Sequence, residues 1–247
     1  MSFTKASLRV FRFKEIDSTN DEAKRRIRAG FDGQAVFYAD SQTAGRGRQG
    51  KNFYSPDGTG LYMTVLWPTS ESIENTLRVT AKTGTAVLLG IQSVLNIALS
   101  IKWVNDIYCG EKKVAGILVE NVPSPTNPDL HFLVIGIGVN VSTADFPEEL
   151  KGIAGSLGGK AEDREILGES ILDCLIPELS DLRNTAYLDT YRARSCVIGR
   201  EIVFTENGVT KEGLAVGIDD DGGLLVTLTD GERAVLSSGE ITVRRKN

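Results

Sequence analysis

Apolar and polar positions along the chain change period repeatedly, and each change predicts an element. Ser18 followed by Asp21 three positions on, then Ala23, Ile27 and Ala29 at helical spacing, predicts a capped helix that stops at Gly30. Residues 35–39 form a short apolar run between Gly33 and Asp40, and residues 61–67 are rich in β-formers; both are predicted strands. A long apolar-rich stretch over 74–98 predicts a helix. Residues 100–108 read as a short strand running into a turn at Asn105 and Asp106. The chain then turns at 110–113 into apolar runs at 114–120 and 132–141. Gly116, Gly136 and Gly138 interrupt these two runs, which leaves room on one face of a sheet for another backbone or a ligand. Leu167, Ile171, Leu175, Leu179 and Leu182 recur at helical spacing, predicting one or two helices over 163–194.

After Cys196 the texture becomes that of a small β-barrel. Short strands at 201–204, 213–218, 224–228 and 234–236 are split by Asn207-Gly208, residues 219–223 and Asp230-Gly231. The closing VRRKN reads as a solvated tail. Strands and helices before this point interleave without regular βαβ repeats, and the sheet is expected to begin near Leu8. The predicted fold is therefore α+β: a mixed, largely antiparallel sheet with flanking helices over 1–195, and the barrel over 196–247. The chain of 247 residues is long enough for both. No apolar run approaches the roughly 20 residues that span a bilayer, and the first residues hold no apolar leader core. A cytoplasmic protein with no membrane partner is expected. The three cysteines (109, 174, 196) form no C-x-x-C and are expected to be reduced thiols. His131 is the single histidine, which argues against histidine catalysis and multi-histidine metal sites.

Candidate chemistry begins at Gly45-Arg-Gly-Arg-Gln-Gly50. The spacing is that of a dinucleotide-binding turn, but Pro56, Gly58 and Gly60 follow where that turn needs a helix. Two arginines also stand where only backbone N–H groups are wanted. The run is better read as a mobile strand-to-strand loop presenting guanidinium groups, whose planar donors match phosphate and carboxylate oxygens. A solvated basic hairpin is the plain alternative. Nucleic acid is disfavoured as a partner, because 33 acidic residues outnumber 28 basic ones and the net charge is −5.

Together, Ser18-Thr-Asn20, Gln42, GRGRQG at 45–50, KWVNDIY at 102–108, KKVAGILVE at 112–120, GIGVNV at 136–141 and SSGEI at 237–241 resemble the biotin protein ligase family in order and spacing. The resemblance covers nearly the whole chain. It implies a class II synthetase-like catalytic domain that activates the biotin carboxylate with ATP as biotinyl-5′-adenylate. The biotinyl group then passes to a lysine of a biotin carboxyl carrier protein. By resemblance, Lys102, Arg46 and Arg48 are the catalytic cations. Ser18, Thr19, Asn20, Gln42, Arg46, Gly47, Arg48, Lys102, Gly116 and Gly136 would hold biotin, and Arg46, Arg48, Phe53, Lys102, Asn105 and Asn140 the ATP or adenylate. A Mg²⁺ ion on the phosphates is implied, with Asp106, and beside it Asn105, as candidate oxygen ligands.

Two positions depart from the family pattern. Val104 stands where the family carries Pro, which frees an N–H and loosens φ at the turn. Phe53 stands where the family often carries Trp, which keeps an aromatic face. Some members carry an N-terminal helix-turn-helix and repress transcription; here Ser18 follows the start too closely for one, so no operator binding is expected. A homodimer stays open. So do two other functions: lipoate transfer, whose family shows a histidine near its Gly-rich loop, and a biotin- or nucleotide-sensing module without acyl transfer.

Overall fold

A computed structural model describes residues 7–71, 76–206, 208–239 and 241–243. Seven strands form the main sheet: β1 (Arg9–Ile16), β2 (Ala35–Gln42), β3 (Gly60–Thr69), β4 (Ser100–Lys102), β5 (Asp106–Cys109), β6 (Lys112–Pro123) and β7 (His131–Asn140). Their order is β1-β2-β3-β7-β6-β5-β4, with β1 and β2 parallel and every other pair antiparallel. Among the described residues, four α-helices flank the strands: α1 (Thr19–Arg28), α2 (Leu77–Val94), α3 (Asp163–Ser180) and α4 (Tyr187–Ala193).

Alternation along β7 explains the layering. Leu133, Ile135, Ile137 and Val139 point to the main core with Val87, Leu88, Ile91, Ile171 and Leu175 from α2 and α3. Phe132 and Val134 point the other way, onto Ala23 and Ile27 of α1. Further along that second face the same alternation reaches Gly136 and Gly138, where apolar cover gives way to a trough.

The predicted α+β class and mixed sheet are present, with several boundaries corrected. The long helix spans Leu77–Val94 rather than 74–98: Leu95 already has extended backbone at φ −118°, and residues 74–75 lie outside the described residues. The 163–194 stretch is two helices, with Leu182 buried in the loop between them. The 100–108 stretch is a hairpin of two strands, β4 and β5. C-terminal strands β8 (Glu201–Glu206), β9 (Val209–Ile218), β10 (Leu224–Leu228), β11 (Arg233–Leu236) and β12 (Ile241–Val243) form an antiparallel sheet ordered β11-β10-β9-β8-β12, where the barrel was expected. Strand β12 adds to the four strands predicted after Cys196. Asn207 of one predicted turn and residues 244–247 of the predicted tail lie outside the described residues. The three cysteines are free thiols, and no helix among the described residues is long and apolar enough to cross a membrane.

Candidate functional site

The trough is built by cross-strand glycines. Gly138 pairs with Tyr62 of β3 and Gly116 of β6, while Gly136 pairs with Thr64 and Leu118. A Cβ on Gly136 would overlap the Asn20 amide, and one on Gly138 would stand 2.5 Å from the Phe53 ring. Only glycine lets those two side chains reach the sheet backbone.

Asn20 belongs to a polar cluster at the start of α1. Ser18 caps the helix by accepting the Asp21 N–H at 3.4 Å, and its own N–H donates to Asp17 Oδ1 at 2.7 Å. The Thr19 N–H donates to Gln42 Oε1 at 2.9 Å, and Gln42 Nε2 donates to Ser55 Oγ at 3.0 Å. The Thr64 hydroxyl donates to Asn20 Oδ1 at 2.6 Å, and Asn20 Nδ2 donates to Glu120 Oε2 at 3.0 Å. Ser18, Thr19, Asn20 and Gln42, with Met63, Ile117 and Leu118, line a narrow slot of about 40 Å³. That is room for about three waters, because Phe53 lies against Gly116 and Gly138.

A second cavity of about 440 Å³ abuts the slot. Lys102, Asp106, Tyr108 and Asn140 line it, together with the ring pair Tyr54 and Phe146 and, from the C-terminal sheet, Gly239, Ile241 and Thr242. Five residues border both spaces: Gly47, Arg48, Phe53, Asn105 and Lys113. Asn105 is tied to β6, where its Nδ2 donates to the Ile117 carbonyl at 2.9 Å, and its Oδ1 accepts from Arg48 at 3.0 Å. Lys113 pairs with Asp106 at 2.7 Å. Burial, reinforced by the Asp106 charge, pushes the Tyr108 phenol up to about 12, so it stays neutral. Asn140 Nδ2 donates to the Gly155 carbonyl at 3.0 Å, while its buried Oδ1 has no hydrogen-bond partner among the described residues. An unmet buried acceptor in a cavity wall is a natural contact for a ligand donor.

Two neighbours hold the 102–105 segment: Trp103 Nε1 donates to the Gly222 carbonyl at 2.9 Å, and the Tyr191 hydroxyl donates to the Val104 carbonyl at 2.8 Å. The Trp103–Val104 peptide is cis.

The slot therefore gathers Ser18, Thr19, Asn20, Gln42, Arg46, Gly47, Arg48, Gly116 and Gly136, whereas Lys102, Asp106 and Asn140 line only the larger cavity. Lys113, Met63 and Gly138 also line the slot and are not among the predicted site residues. Strict alternation from Gly116 would put Val114, not Lys113, on the site face. A register shift pairs Lys113 with Tyr108 directly after Ala115 with Ile107, and this bulge turns the lysine inward. No cluster of three acidic, cysteine or histidine side chains that could hold a metal exists among the described residues. Asn105 Oδ1 accepts from Arg48 at 3.0 Å, and Asp106 Oδ1 faces Lys113 at 2.7 Å.

Residues 12–140 match the biotin/lipoate A/B protein ligase family, and residues 197–244 match the biotin protein ligase C-terminal domain. The biotin–[acetyl-CoA-carboxylase] ligase of Paracoccus denitrificans is 31% identical over 91% of this chain and 96% of its own length. The bifunctional ligase/repressor BirA of Bacillus spizizenii is 34% identical over 82% of this chain, but the match spans only 64% of that protein. The Aquifex aeolicus biotin protein ligase, solved with biotin and ATP, superposes with a TM-score of 0.81 at 30% identity, covering 96% of this chain and 99% of that one.

Proposed function

The chain belongs to the biotin/lipoate A/B protein ligase family, among its biotin protein ligases, and from that premise we propose that it attaches biotin to a carrier-protein lysine at the expense of ATP. One observation carries the reading: a narrow amide- and hydroxyl-lined slot and a larger cation-lined cavity share a wall formed by Gly47, Arg48, Phe53, Asn105 and Lys113. A carboxylate ending the slot and a phosphate in the larger cavity would meet at that wall.

Ser18, Thr19, Asn20 and Gln42 suit the ureido ring of biotin, and Gly116 and Gly136 give its bicycle access to the sheet. The nucleotide takes the larger cavity, with Asn140 Oδ1 as an acceptor and Phe53 as an aromatic face. A biotin carboxylate oxygen attacks the α-phosphorus, and the bond to the departing pyrophosphate breaks. Negative charge accumulates at this point, where Arg46, Arg48, Lys102 and Lys113 can offset it. In the second step the carrier lysine amine attacks the acyl carbon, loses a proton, and AMP leaves. Mg²⁺ would supply charge neutralisation on the phosphates, with phosphate oxygens as its main ligands and Asp106 as the protein's candidate contribution.

The slot must widen to admit a bicyclic ligand, so Phe53 and the 45–50 loop move outward on entry and return to exclude water. Residues 1–195 act as the catalytic domain and 196–247 as an accessory domain that walls the nucleotide cavity. The protein works in the cytoplasm on a carboxyl carrier domain, alone or as a pair of copies.

Intact-mass spectrometry of a biotin carrier domain with this protein, ATP and Mg²⁺, with biotin and lipoate in parallel, tests the reading. The expected result is one biotinyl group added, dependent on ATP. Lys102→Ala should slow transfer about 10²–10³-fold while leaving biotin affinity little changed. A lipoyl adduct would overturn the specificity. Tight biotin binding without any adduct would favour a sensing module instead.

A further inference from the structure

The arginine loop is tied to α1 by a carboxylate to which sequence reading assigned a different job. Asp21 stands three residues after the Ser18 cap, where a capping-box acid would reach back to the Ser18 N–H. That N–H is already taken by Asp17 Oδ1 at 2.7 Å. The Asp21 carboxylate is thus directed elsewhere: Oδ2 accepts Arg46 Nε at 2.9 Å, and Oδ1 faces Lys24 Nζ at 2.9 Å. Lys24 Nζ also meets Glu120 Oε1 at 2.9 Å, and Glu120 Oε2 accepts Asn20 Nδ2 at 3.0 Å. One chain of alternating charges therefore runs from the loop, across the first turn of α1, to β6 and the floor of the slot. Partial burial raises the Asp21 carboxyl, but its bonds to Lys24 and Arg46 outweigh this and lower its pKa, so it stays ionised around neutrality.

The base of the loop is held by backbone bonds, Thr43 N–H to the Ile16 carbonyl at 2.9 Å and Ala44 N–H to the Asp17 carbonyl at 2.8 Å. Within the loop the Gly47 N–H donates to the Lys51 carbonyl at 2.7 Å and the Phe53 N–H to the Gly45 carbonyl at 2.9 Å. Those bonds shape the hairpin without fixing it to the domain. Outward ties at the loop's tip come from Arg46 to Asp21 and from Arg48 to Asn105. Arg46 and Arg48 thus clamp opposite sides of the slot mouth, one to α1 and the other to the β4–β5 turn.

We propose that Asp21 is a positioning residue that latches the 45–50 loop shut through Arg46, and that its loss lets the loop open and release the reactive intermediate. Asp21 itself touches no substrate and acts only through the arginine. The latch is independent of ligand, but its consequence for an intermediate rests on the ligase reading above.

Two measurements separate these levels. In the ligand-free protein, trypsin should cut after Arg48 about threefold to tenfold faster in Asp21→Asn than in the parent, as expected for loss of one partly exposed charged pair. The same change in an Arg46→Ala background should add nothing, because the pair is already broken. A merely structural role for Asp21 would instead lower the unfolding midpoint and act equally in both backgrounds. Equal cutting of parent and Asp21→Asn overturns the latch, whatever the function. With biotin and ATP, single-turnover release of biotinyl-adenylate should quicken by a similar factor in Asp21→Asn, with the rate of its formation nearly unchanged, and Asp21→Glu should restore retention. Unchanged release alongside faster cutting overturns the catalytic consequence of the latch. Absence of any adenylate from the parent overturns the ligase reading and leaves the proteolysis result standing.

Discussion

Replacing Gly136 by alanine should damage the slot more than its single methyl suggests. The new Cβ would overlap the Asn20 side chain, with Cγ and Nδ2 both at 2.9 Å. Asn20 cannot swing aside freely, because Thr64 holds its Oδ1 at 2.6 Å and Glu120 holds its Nδ2 at 3.0 Å. Making room breaks one bond between neutral groups, worth about 1 kcal/mol net, and one to a carboxylate, worth about 1.5–3 kcal/mol. Keeping both leaves an overpacked contact of about 1–3 kcal/mol. The expected loss is therefore about 2–3 kcal/mol, felt in urea unfolding followed by tryptophan fluorescence. Biotin affinity measured by calorimetry should fall as well, by about tenfold or more, because the methyl and the displaced Asn20 amide occupy the slot. Gly152→Ala is the control: a Cβ there meets nothing within 4 Å, so it should stay within about 0.5 kcal/mol of the parent. If Gly136→Ala matched that control in stability and bound biotin within about threefold, Asn20 would not be the fixed floor described here.

Four further substitutions test the scaffold behind the site. Lys82 is fully buried in α2, where Nζ donates to Glu178 Oε2 at 2.9 Å and to the Asn184 carbonyl at 2.6 Å, beneath the Tyr187 ring. Lys82→Met should cost about 3–5 kcal/mol in chemical unfolding, because it strands those acceptors; a loss under about 1 kcal/mol would contradict this. Two glycines of the same helix should respond with opposite sign. A Cβ on Gly84 would make ordinary contact with Tyr191 at 3.6 Å, so Gly84→Ala should stabilise by about 0.5–1 kcal/mol. On Gly90 it would stand 2.7 Å from the Ile171 backbone, so Gly90→Ala should lose about 1–3 kcal/mol; equal thermal shifts in both variants would refute the contrast. Paired hydrogen bonds from Arg25 hold the Asp17 carboxyl at about 2, below its ordinary 3.8. A depressed folded pKa stabilises above the unfolded value and is lost as pH falls from about 4 to about 2. Because the pair is half exposed, that contribution is about 1 kcal/mol or less. Asp17→Asn should therefore narrow its stability gap to the parent across that window, and a gap independent of pH would refute it.

What the sequence reveals and what it hides divide along a physical line. Patterns carried by one segment are legible: the cap at Ser18, the stop at Gly30, and the glycines whose alternation predicts open space on one sheet face all lie where their local chemistry puts them. Features that depend on two segments at once are not. Lys113 reads as part of the turn at 110–113 until the pairing of β5 with β6 inserts a bulge and turns it into the site. Asp21 looks like a capping acid until Asp17, one residue before the cap, takes the N–H it would have used and leaves it to the arginine loop. Lys82 interrupts the apolar face of an apolar-rich helix, and nothing in α2 announces that acceptors from residues 178–184 will gather around it. In each case the residue type is visible and its partner is not, because the partner is chosen by register or by competition for one hydrogen bond. The site follows the same rule. Its glycines and arginines could be named from their motifs, whereas the charges that aim the arginines come from helix and strand positions that only the fold brings together.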